Sequence, residues 1–227
     1  MSARVASKEG TARNGVLSPA VVNRLFRKLA GEGPPPISEL VHHNPFELLV
    51  AVILSAQATD VSVNKATKDL FPRHGTPEAL LALGEKKLHH AIRTIGLAPT
   101  KARNVIATCK LLLERHGGDV PADREALEGL PGVGRKTANV VLNGAFGVPT
   151  IAVDTHVFRV ANRTGLAPGK NVREVEEGLL RITPRKYMRH AHHHLILHGR
   201  YTCKARKPEC GACVIARECA YPDKVVS

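Results

Sequence analysis

The feature that most constrains this fold is a short run of helix-breaking residues, Leu130 to Gly134 (LPGVG), between two segments that favour helix. Asp123 is a candidate N-cap for the first segment, and good helix formers continue it to Leu127. Proline and glycine end that helix, and a second helix begins at Arg135. The sequence therefore predicts two short helices joined by a glycine hairpin, over about residues 123–146.

This hairpin is suited to holding a phosphate. Gly132 and Gly134 let backbone N–H groups approach an anion closely, and the positive end of the second helix points the same way. An ordinary helix–turn–helix corner, in which Gly134 only caps the helix, explains an isolated LPGVG equally well. The hairpin by itself leaves both alternatives open.

Two ionisable residues favour chemistry on nucleic acid. Lys136 lies in the first turn of the second helix, where the helix dipole and Arg135 disfavour the charged amine, and the neutral amine is the nucleophilic form. Asp154 follows an apolar run and precedes another predicted helix; capping of that helix is the simpler explanation of this carboxylate. A candidate nucleophile and a carboxylate near a phosphate cradle predict a covalent reaction on nucleic acid.

The run LPGVGRKTANVV followed by VDTH resembles the helix–hairpin–helix DNA glycosylases, specifically the endonuclease III group of glycosylase/AP lyases. The similarity extends from about residue 44 to residue 219. It implies that Lys136 attacks the sugar C1′ and that Asp154 assists. It also implies two helical lobes with a DNA-binding cleft between them.

The predicted organisation is all-α, because helix-start signals are frequent and period-2 segments are nearly absent. By resemblance, residues 37–149 form a six-helix domain with the hairpin, and residues 17–36 join residues 150–227 in an iron–sulfur domain. Residues 1–16 are polar and basic without periodicity, which predicts a disordered arm.

Several further residues gain a predicted role from the resemblance. Gln57, in the polar stretch SAQATD, would fill the gap left by a flipped nucleotide, and Leu97, on a glycine turn, would wedge between bases. Ser55 and Asp60 would border the lesion pocket, although Asp60 as the cap of a helix over 61–71 is the simpler interpretation. The other predicted DNA-contacting residues are Gly132, Gly134, Arg135, His156, Arg200, Lys204, Arg206 and Lys207.

A weak internal repeat makes a second lysine a candidate nucleophile. The sequence KARNVI from Lys101 matches KTANVV from Lys136, and each copy follows a glycine turn. Chance similarity explains the repeat equally well. Thr100 is predicted to cap the helix that contains Lys101. No later carboxylate is comparable to Asp154 for Lys101, so Lys136 is the predicted nucleophile.

Four cysteines spaced C-x6-C-x2-C-x5-C indicate a metal or cluster site. Zinc is the simpler alternative, but zinc ribbons usually carry two close C-x2-C pairs and this loop has one. The wide flanks suit a [4Fe-4S] cluster with one thiolate per iron. The full pattern resembles the endonuclease III cluster loop, which implies a structural [4Fe-4S] cluster held by Cys203, Cys210, Cys213 and Cys219.

The net charge of +13 predicts an electropositive surface that suits a polyanion, although a merely basic protein would show the same charge. No apolar run approaches the roughly 18 residues of a membrane span. No secretory signal is visible at the N-terminus. We therefore expect no membrane partner and a location in the cytoplasm or nucleoid; residues 1–16 leave a short organelle presequence open.

Together, these residues and the resemblance predict a bifunctional DNA glycosylase/AP lyase of base excision repair. As a monomer, it would act on double-stranded DNA that carries a damaged pyrimidine or an abasic site. It would remove oxidised pyrimidines through a Schiff base at Lys136 and cut 3′ to the lesion by β-elimination. Three alternatives remain: a related glycosylase for pyrimidine dimers or mismatched bases, a non-catalytic helix–hairpin–helix DNA-binding module, and a cluster-containing redox sensor that binds DNA.

Overall fold

The computed structural model describes residues 17–31 and 38–224, and the regular structure within these ranges is helical, without β-strands. The all-α prediction is therefore confirmed. The predicted disordered arm and the possible presequence lie outside the described residues. The chain divides into two compact units, Met1–Ile37 with Ile151–Ser227, and Ser38–Thr150. This division lies within one residue of the predicted boundary after residue 149.

The helices of the described ranges follow one another with short connections, and none is long and apolar enough to cross a membrane. In chain order they are α1 (Pro19–Ala30), α2 (Pro45–Ser55), α3 (Asp60–Thr67), α4 (Phe71–His74), α5 (Pro77–Leu83), α6 (Glu85–Ala91), α7 (Ala98–His116), α8 (Arg124–Glu128), α9 (Arg135–Phe146), α10 (Thr155–Thr164), α11 (Val172–Ile182) and α12 (Met188–Tyr201).

The unit Ser38–Thr150 is built around α2. Asn44 begins this helix by accepting a hydrogen bond from the Glu47 N–H at 2.8 Å, and proline follows at the first position. Its residues 46–54 are all buried, as expected for a helix without a polar face. The helix packs against α3, α7 and α9, so the hairpin helix α9 rests directly on the core of this unit.

The helix α3 differs from the helix predicted over 61–71 at both ends. Thr59, rather than Asp60, is the N-cap, because its hydroxyl accepts a hydrogen bond from a first-turn N–H at 3.2 Å. Asp60 is the first helical residue. The helix ends at Thr67 and does not continue into Phe71 and Pro72, where proline favours the start of a new helix. Pro72 instead lies in the first turn of α4.

The helix predicted from Lys101 begins three residues earlier, at Ala98. Thr100 therefore lies inside the first turn and is not the cap. Leu97 occupies the N-cap position in a left-handed conformation, with φ 61°. Pro99 suits the first turn, where its missing N–H costs nothing and its fixed φ is helical. The wedge candidate Leu97 is thus held at the junction of a turn and a 19-residue helix.

The other unit, Met1–Ile37 with Ile151–Ser227, is organised by α10 and α12. The helix α12 packs against both α1 and α10. Gly199 allows the close approach of α10, because a Cβ at this position would lie 2.8 Å from the His156 Cβ. The core contains aliphatic side chains and one phenylalanine, among them Leu25, Phe26 and Leu195. A segment with little helix follows α12 and contains the four spaced cysteines.

Candidate active site and cluster loop

The glycine hairpin is fixed by local hydrogen bonds and by packing against α7. The Asp123 carboxylate caps α8 by accepting a hydrogen bond from the Ala126 N–H at 2.8 Å, as the sequence predicts. The Thr108 hydroxyl of α7 donates to the Pro131 carbonyl at 3.0 Å. Gly132 has a φ of +79°, and a Cβ there would lie 2.9 Å from Asn104 Nδ2. Gly132 is therefore required by the hairpin itself.

Gly134 has no comparable internal reason to be glycine. Its φ of −94° and ψ of 177° are open to any residue, and a Cβ would meet no atom within 4 Å. It is the N-cap of α9, and no side chain caps this helix. The first-turn N–H groups of α9 therefore face a space that a ligand can enter, which is the arrangement of an anion site at a helix N-terminus.

Lys136 is exposed in the first turn of α9. Arg135, beside it, is half-buried and has an interaction within the protein. Lys101 has the opposite environment: its side chain is buried, its Nζ has no hydrogen bond among the described residues, and burial lowers its pKa. The two lysines of the weak repeat are therefore in different settings, and the amine of Lys136 is the accessible one.

Gln57 and Leu97 share an unusual backbone conformation. Among the described residues they are the two non-glycine residues with positive φ, at 55° and 61°. Both are exposed; Leu97 keeps 59% of its surface accessible. The turns that carry them are neighbours, because a Cβ at Gly96 would lie 4.0 Å from the Gln57 carbonyl oxygen. Strained backbone of this kind is concentrated at functional sites, and here two strained backbone positions lie in neighbouring turns.

Ser55 and Asp60 flank Gln57 and are both half-buried. The Ser55 hydroxyl donates to the Val52 carbonyl at 2.9 Å, which is a hydrogen bond within α2. Asp60 lies in the first turn of α3 and has an interaction within the protein. The position of Ser55 and Asp60 beside a lesion pocket therefore stays a prediction.

Asp154 is the N-cap of α10, as the sequence predicts. Its Oδ1 accepts hydrogen bonds from the His156 N–H at 2.9 Å and the Val157 N–H at 2.8 Å. These bonds fix the carboxylate at the N-terminus of α10. The imidazole of His156, in the first turn of this helix, is half-buried and accepts a hydrogen bond at Nδ1 from Arg159 Nη2 at 3.1 Å.

Two arginines on α10 hold the start of the cysteine loop. Arg159 donates from Nε to the Cys203 carbonyl at 2.9 Å and from Nη2 to the Gly199 carbonyl at 2.7 Å. Arg163 donates to the carbonyls of Lys204 and Ala205, each at 2.7 Å. Sequence reasoning missed both residues. The available signal was their spacing of four residues on a predicted helix, which places both side chains on the same helix face. That spacing does not indicate which carbonyl groups the two arginines bind.

The four predicted ligands line one cavity. Burial raises the pKa of the Cys213 and Cys219 thiols, so thiolates there need a compensating positive charge. Donors reach the sulfurs from the surrounding chain: Arg163 Nη1 lies 3.8 Å from Cys203 Sγ, and the Tyr221 N–H lies 3.5 Å from Cys219 Sγ. Hydrogen bonds to sulfur are characteristic of iron–sulfur sites.

The four cysteines share this cavity with His198, Glu209 and Tyr221. Among the residues that the structure describes, no set of three or more His, Cys, Asp or Glu side chains is close enough to hold a single metal ion. The C-x6-C-x2-C-x5-C spacing is therefore the observation that favours a multi-iron cluster over one zinc ion.

The basic side chains in and next to the cysteine loop differ in exposure and in their partners within the protein. Lys204 forms an ion pair with Glu209 inside the loop. Arg206 and Lys207 are exposed between these two residues. Arg200, at the end of α12, is half-buried and has an interaction within the protein. Arg206 and Lys207 are therefore the most accessible cations of this group.

Comparison with known proteins agrees with these two sites. A family described as HhH-GPD superfamily base excision DNA repair proteins matches residues 50–185, and the iron–sulfur binding domain of endonuclease III matches residues 203–219. Endonuclease III of Escherichia coli (strain K12) is 61% identical over 88% of this chain and 95% of its own length. Endonuclease III of Treponema pallidum (strain Nichols) is 57% identical over 87% of this chain and 94% of its own length.

Solved structures give the same result. A trapped endonuclease III–DNA covalent intermediate is similar with a TM-score of 0.83 and 47% identity, over 90% of this chain and 97% of that chain. A thermostable thymine-DNA glycosylase is similar with a TM-score of 0.80 and 25% identity, over 91% of this chain and 96% of that chain. The zinc, redox-sensor and non-catalytic alternatives are therefore not supported. The chain belongs to the endonuclease III family, bifunctional DNA glycosylases and AP lyases of base excision repair that carry a [4Fe-4S] cluster.

Proposed function

We propose that Lys136 is the covalent nucleophile of this glycosylase/AP lyase. The observation that carries the proposal is the exposed amine of Lys136 in the first turn of α9, whose N-terminal N–H groups have no side-chain cap. A sugar-phosphate backbone held by those N–H groups brings a deoxyribose next to the amine. Of the two lysines in the weak repeat, Lys101 is buried and lacks this access.

In the proposed reaction, the Lys136 Nζ lone pair attacks C1′ and the glycosidic C–N bond breaks, so the base leaves with the electron pair and gains a proton. The C1′–O4′ bond then opens to give a Schiff base. The iminium acidifies C2′–H; loss of that proton expels the 3′ phosphate and cuts the strand. Water then hydrolyses the Schiff base and releases the lysine.

Asp154 is the proposed acid–base partner of Lys136. Its Oδ1 is occupied by two N–H groups of α10, which leaves Oδ2 to accept a proton from the amine or to stabilise positive charge on the sugar. The cap makes the carboxylate rigid, so it needs no reorganisation during the reaction. Asp154→Asn keeps the cap and removes the charge, so it separates the two roles.

Gln57 and Leu97 are proposed to enter the duplex when the damaged nucleotide is flipped. Both side chains are exposed on left-handed backbone, and their turns are adjacent. An apolar side chain on a rigid turn can open a base step, and a polar amide can occupy the vacated position. The phosphate contacts of the flanking strand are proposed at Gly132, Gly134, Arg135, His156, Arg200, Lys204, Arg206 and Lys207.

The proposed substrates are oxidised pyrimidines and abasic sites in double-stranded DNA, acted on by a monomer in the cytoplasm or nucleoid. A related lesion range is the second candidate, because a similar structure is a thymine-DNA glycosylase. Duplexes with thymine glycol, dihydrouracil, a uracil mismatch or an abasic site distinguish the two. Cleavage of the first two and the abasic duplex is expected, whereas preference for the mismatch would assign the second.

Cys203, Cys210, Cys213 and Cys219 are the proposed ligands of the [4Fe-4S] cluster. When bound, the cluster would link these four points of the loop to one another. Purified protein should absorb near 400 nm and contain about four irons per chain. Colourless protein with stoichiometric zinc would contradict this assignment.

Borohydride trapping tests the nucleophile. Wild-type protein on an abasic duplex should give a covalent protein–DNA adduct, and peptide mapping should locate it on Lys136. The adduct should be absent with Lys136→Gln and present with Lys101→Gln. The reverse pattern would assign the chemistry to Lys101 and overturn the proposal.

A further inference from the structure

We propose a second phosphate-binding surface in the unit Ser38–Thr150, formed by Lys65, Arg73, Lys87 and Arg93. These residues line a groove among α3, α4 and α6; we name it the basic groove. Its ligand is the sugar-phosphate backbone of the duplex arm next to Leu97. The proposal rests on the DNA-directed function above and adds a contact surface that the hairpin and cysteine loop do not provide.

The charge of the basic groove is strongly one-sided. Its lining contains four side chains that are always cationic near neutral pH and one carboxylate, that of Asp69. The cations come from three different helices and the turn after α6, so they converge because of the fold and do not form a continuous basic run in sequence. Convergent charge of one sign raises the local concentration of a polyanion.

The four cations have no acidic partner within the described residues. Arg93 donates from Nη1 to His90 Nε2 at 2.7 Å, which orients the guanidinium without neutralising it. Lys65, Arg73 and Lys87 are exposed. Like charges held around one groove repel one another, and a phosphodiester backbone relieves that repulsion and releases the condensed counterions of the DNA.

The size and lining of the basic groove suit a chain of groups better than a single ion. Its volume is about 460 Å³, whereas one water occupies roughly 30 Å³ in the liquid. Leu83, Ala66 and Ala91 contribute apolar wall between the cations. Deoxyribose has apolar faces between its phosphates, so a groove lined by both aliphatic and cationic side chains matches a nucleic-acid strand.

The position of the basic groove connects it with the proposed wedge. Thr94 lines the groove and lies in the turn that leads to Leu97. Arg93 immediately precedes it. A strand displaced at Leu97 therefore has the groove as the adjacent cationic surface of the same unit. Phosphate contacts there fix register and carry no sequence preference.

The test measures the affinity of the full protein, with its cluster, for a duplex containing a tetrahydrofuran abasic analogue as a function of salt. Each phosphate contact contributes about 0.9 to the slope of log K against log salt. The double variant Arg73→Gln/Lys87→Gln should lower the magnitude of the slope by about 1.8. Lys86→Gln is the matched control, because Lys86 is exposed on the same helix and does not line the groove.

If the double variant and Lys86→Gln have equal slopes of log K against log salt, the proposal is overturned and the basic groove does not bind the DNA backbone. The pair Lys65→Gln/Arg93→Gln provides a second test if the first variant fails to fold. A reduced slope in either folded pair supports the groove. Failure of the proposed chemistry is scored separately, because it appears as the absence of a borohydride-trapped adduct with wild-type protein.

Discussion

The glycine hairpin and the cysteine loop are both proposed to contact DNA phosphates, but different forces hold them. The hairpin buries Leu127, Leu130 and Val133 and is flanked by two helices. In the cysteine loop, over residues 203–224, Ile215 is the one buried apolar residue, and the regular structure is a 3-10 turn at Cys210–Ala212. The hairpin is therefore stabilised by apolar burial, whereas the loop depends on crosslinks and hydrogen bonds.

This difference shows how a basic loop can be ordered without a core of its own. Ordering each residue costs roughly 1–2 kcal/mol, and the cysteine loop buries too little apolar surface to offset that cost. A cluster held at four points, together with Arg159 and Arg163 on α10, provides the missing constraint. The exposed cations Arg206 and Lys207 can then lie on a rigid surface without being packed.

The largest expected effect follows from removing one cluster ligand. Cys213→Ser should abolish cluster binding and, with it, hydrogen-exchange protection over 203–224, because metal-site binding energy is folding energy in such loops. Amides of α9 should keep their protection, since the hairpin has its own core. Exchange measured by mass spectrometry, with Cys109→Ser as the buried non-ligand control, checks both regions. Protection that persists in the loop would contradict the comparison.

The second prediction removes apolar burial from the hairpin and leaves the cluster ligands intact. Leu127 has no exposed surface, and truncation of such a leucine leaves a cavity. Leu127→Ala should lower the free energy of unfolding by about 3 kcal/mol and leave the iron content unchanged. Urea denaturation of the folded protein measures the first quantity and iron analysis the second. Val61→Ala, at a side chain that is 79% exposed, should change the free energy of unfolding by less than about 0.5 kcal/mol.

The sequence predicts the elements whose causes are local. Asp123 and Asp154 were identified as N-caps, and each side chain makes the expected hydrogen bonds. A cap depends on residues two or three positions away, so a single sequence contains the necessary information. The end of the predicted helix over 61–71 was wrong, because residues 68–70 form a turn and a new helix starts at Phe71 with Pro72 in its first turn.

Contacts between distant segments were not predictable. Arg163 is separated by about forty residues from the carbonyls that it binds, and nothing near it in sequence indicates those partners. The left-handed backbone of Gln57 and Leu97 was likewise unexpected, because neither residue type favours positive φ. The family resemblance named these two residues, whereas their strain and adjacency came from the structure.

The third prediction concerns the arginine that ties α10 to the cysteine loop. Arg163→Met keeps much of the aliphatic stem and removes the donors to Lys204, Ala205 and the Cys203 sulfur. Charged hydrogen bonds of this kind contribute on the order of 2 kcal/mol. We expect lower stability by about that amount and faster loss of iron to a chelator, followed by absorbance. Arg181→Met, at an exposed arginine, should match wild type; equal iron loss in both variants would refute the role.

The smallest expected changes in stability come from the two hairpin glycines, which separate folding from binding. Gly132→Ala forces a left-handed alanine against Asn104 and should cost between about 1 and 2 kcal/mol. Gly134→Ala has open space and ordinary backbone angles, so the weaker N-cap and the restricted unfolded chain should cancel within about 0.5 kcal/mol. Urea denaturation measures both values.

Gly134→Ala, which should change stability least, should nevertheless weaken DNA binding. The methyl group of Gly134→Ala occupies the space through which a phosphate reaches the N–H groups of α9, so affinity for an abasic-analogue duplex should fall at least tenfold at constant stability, which is about 1.4 kcal/mol. Wild-type affinity in Gly134→Ala would show that the open N-terminus of α9 does not hold the backbone. The hairpin would then be only a structural corner, and its contrast with the cysteine loop would concern stability alone.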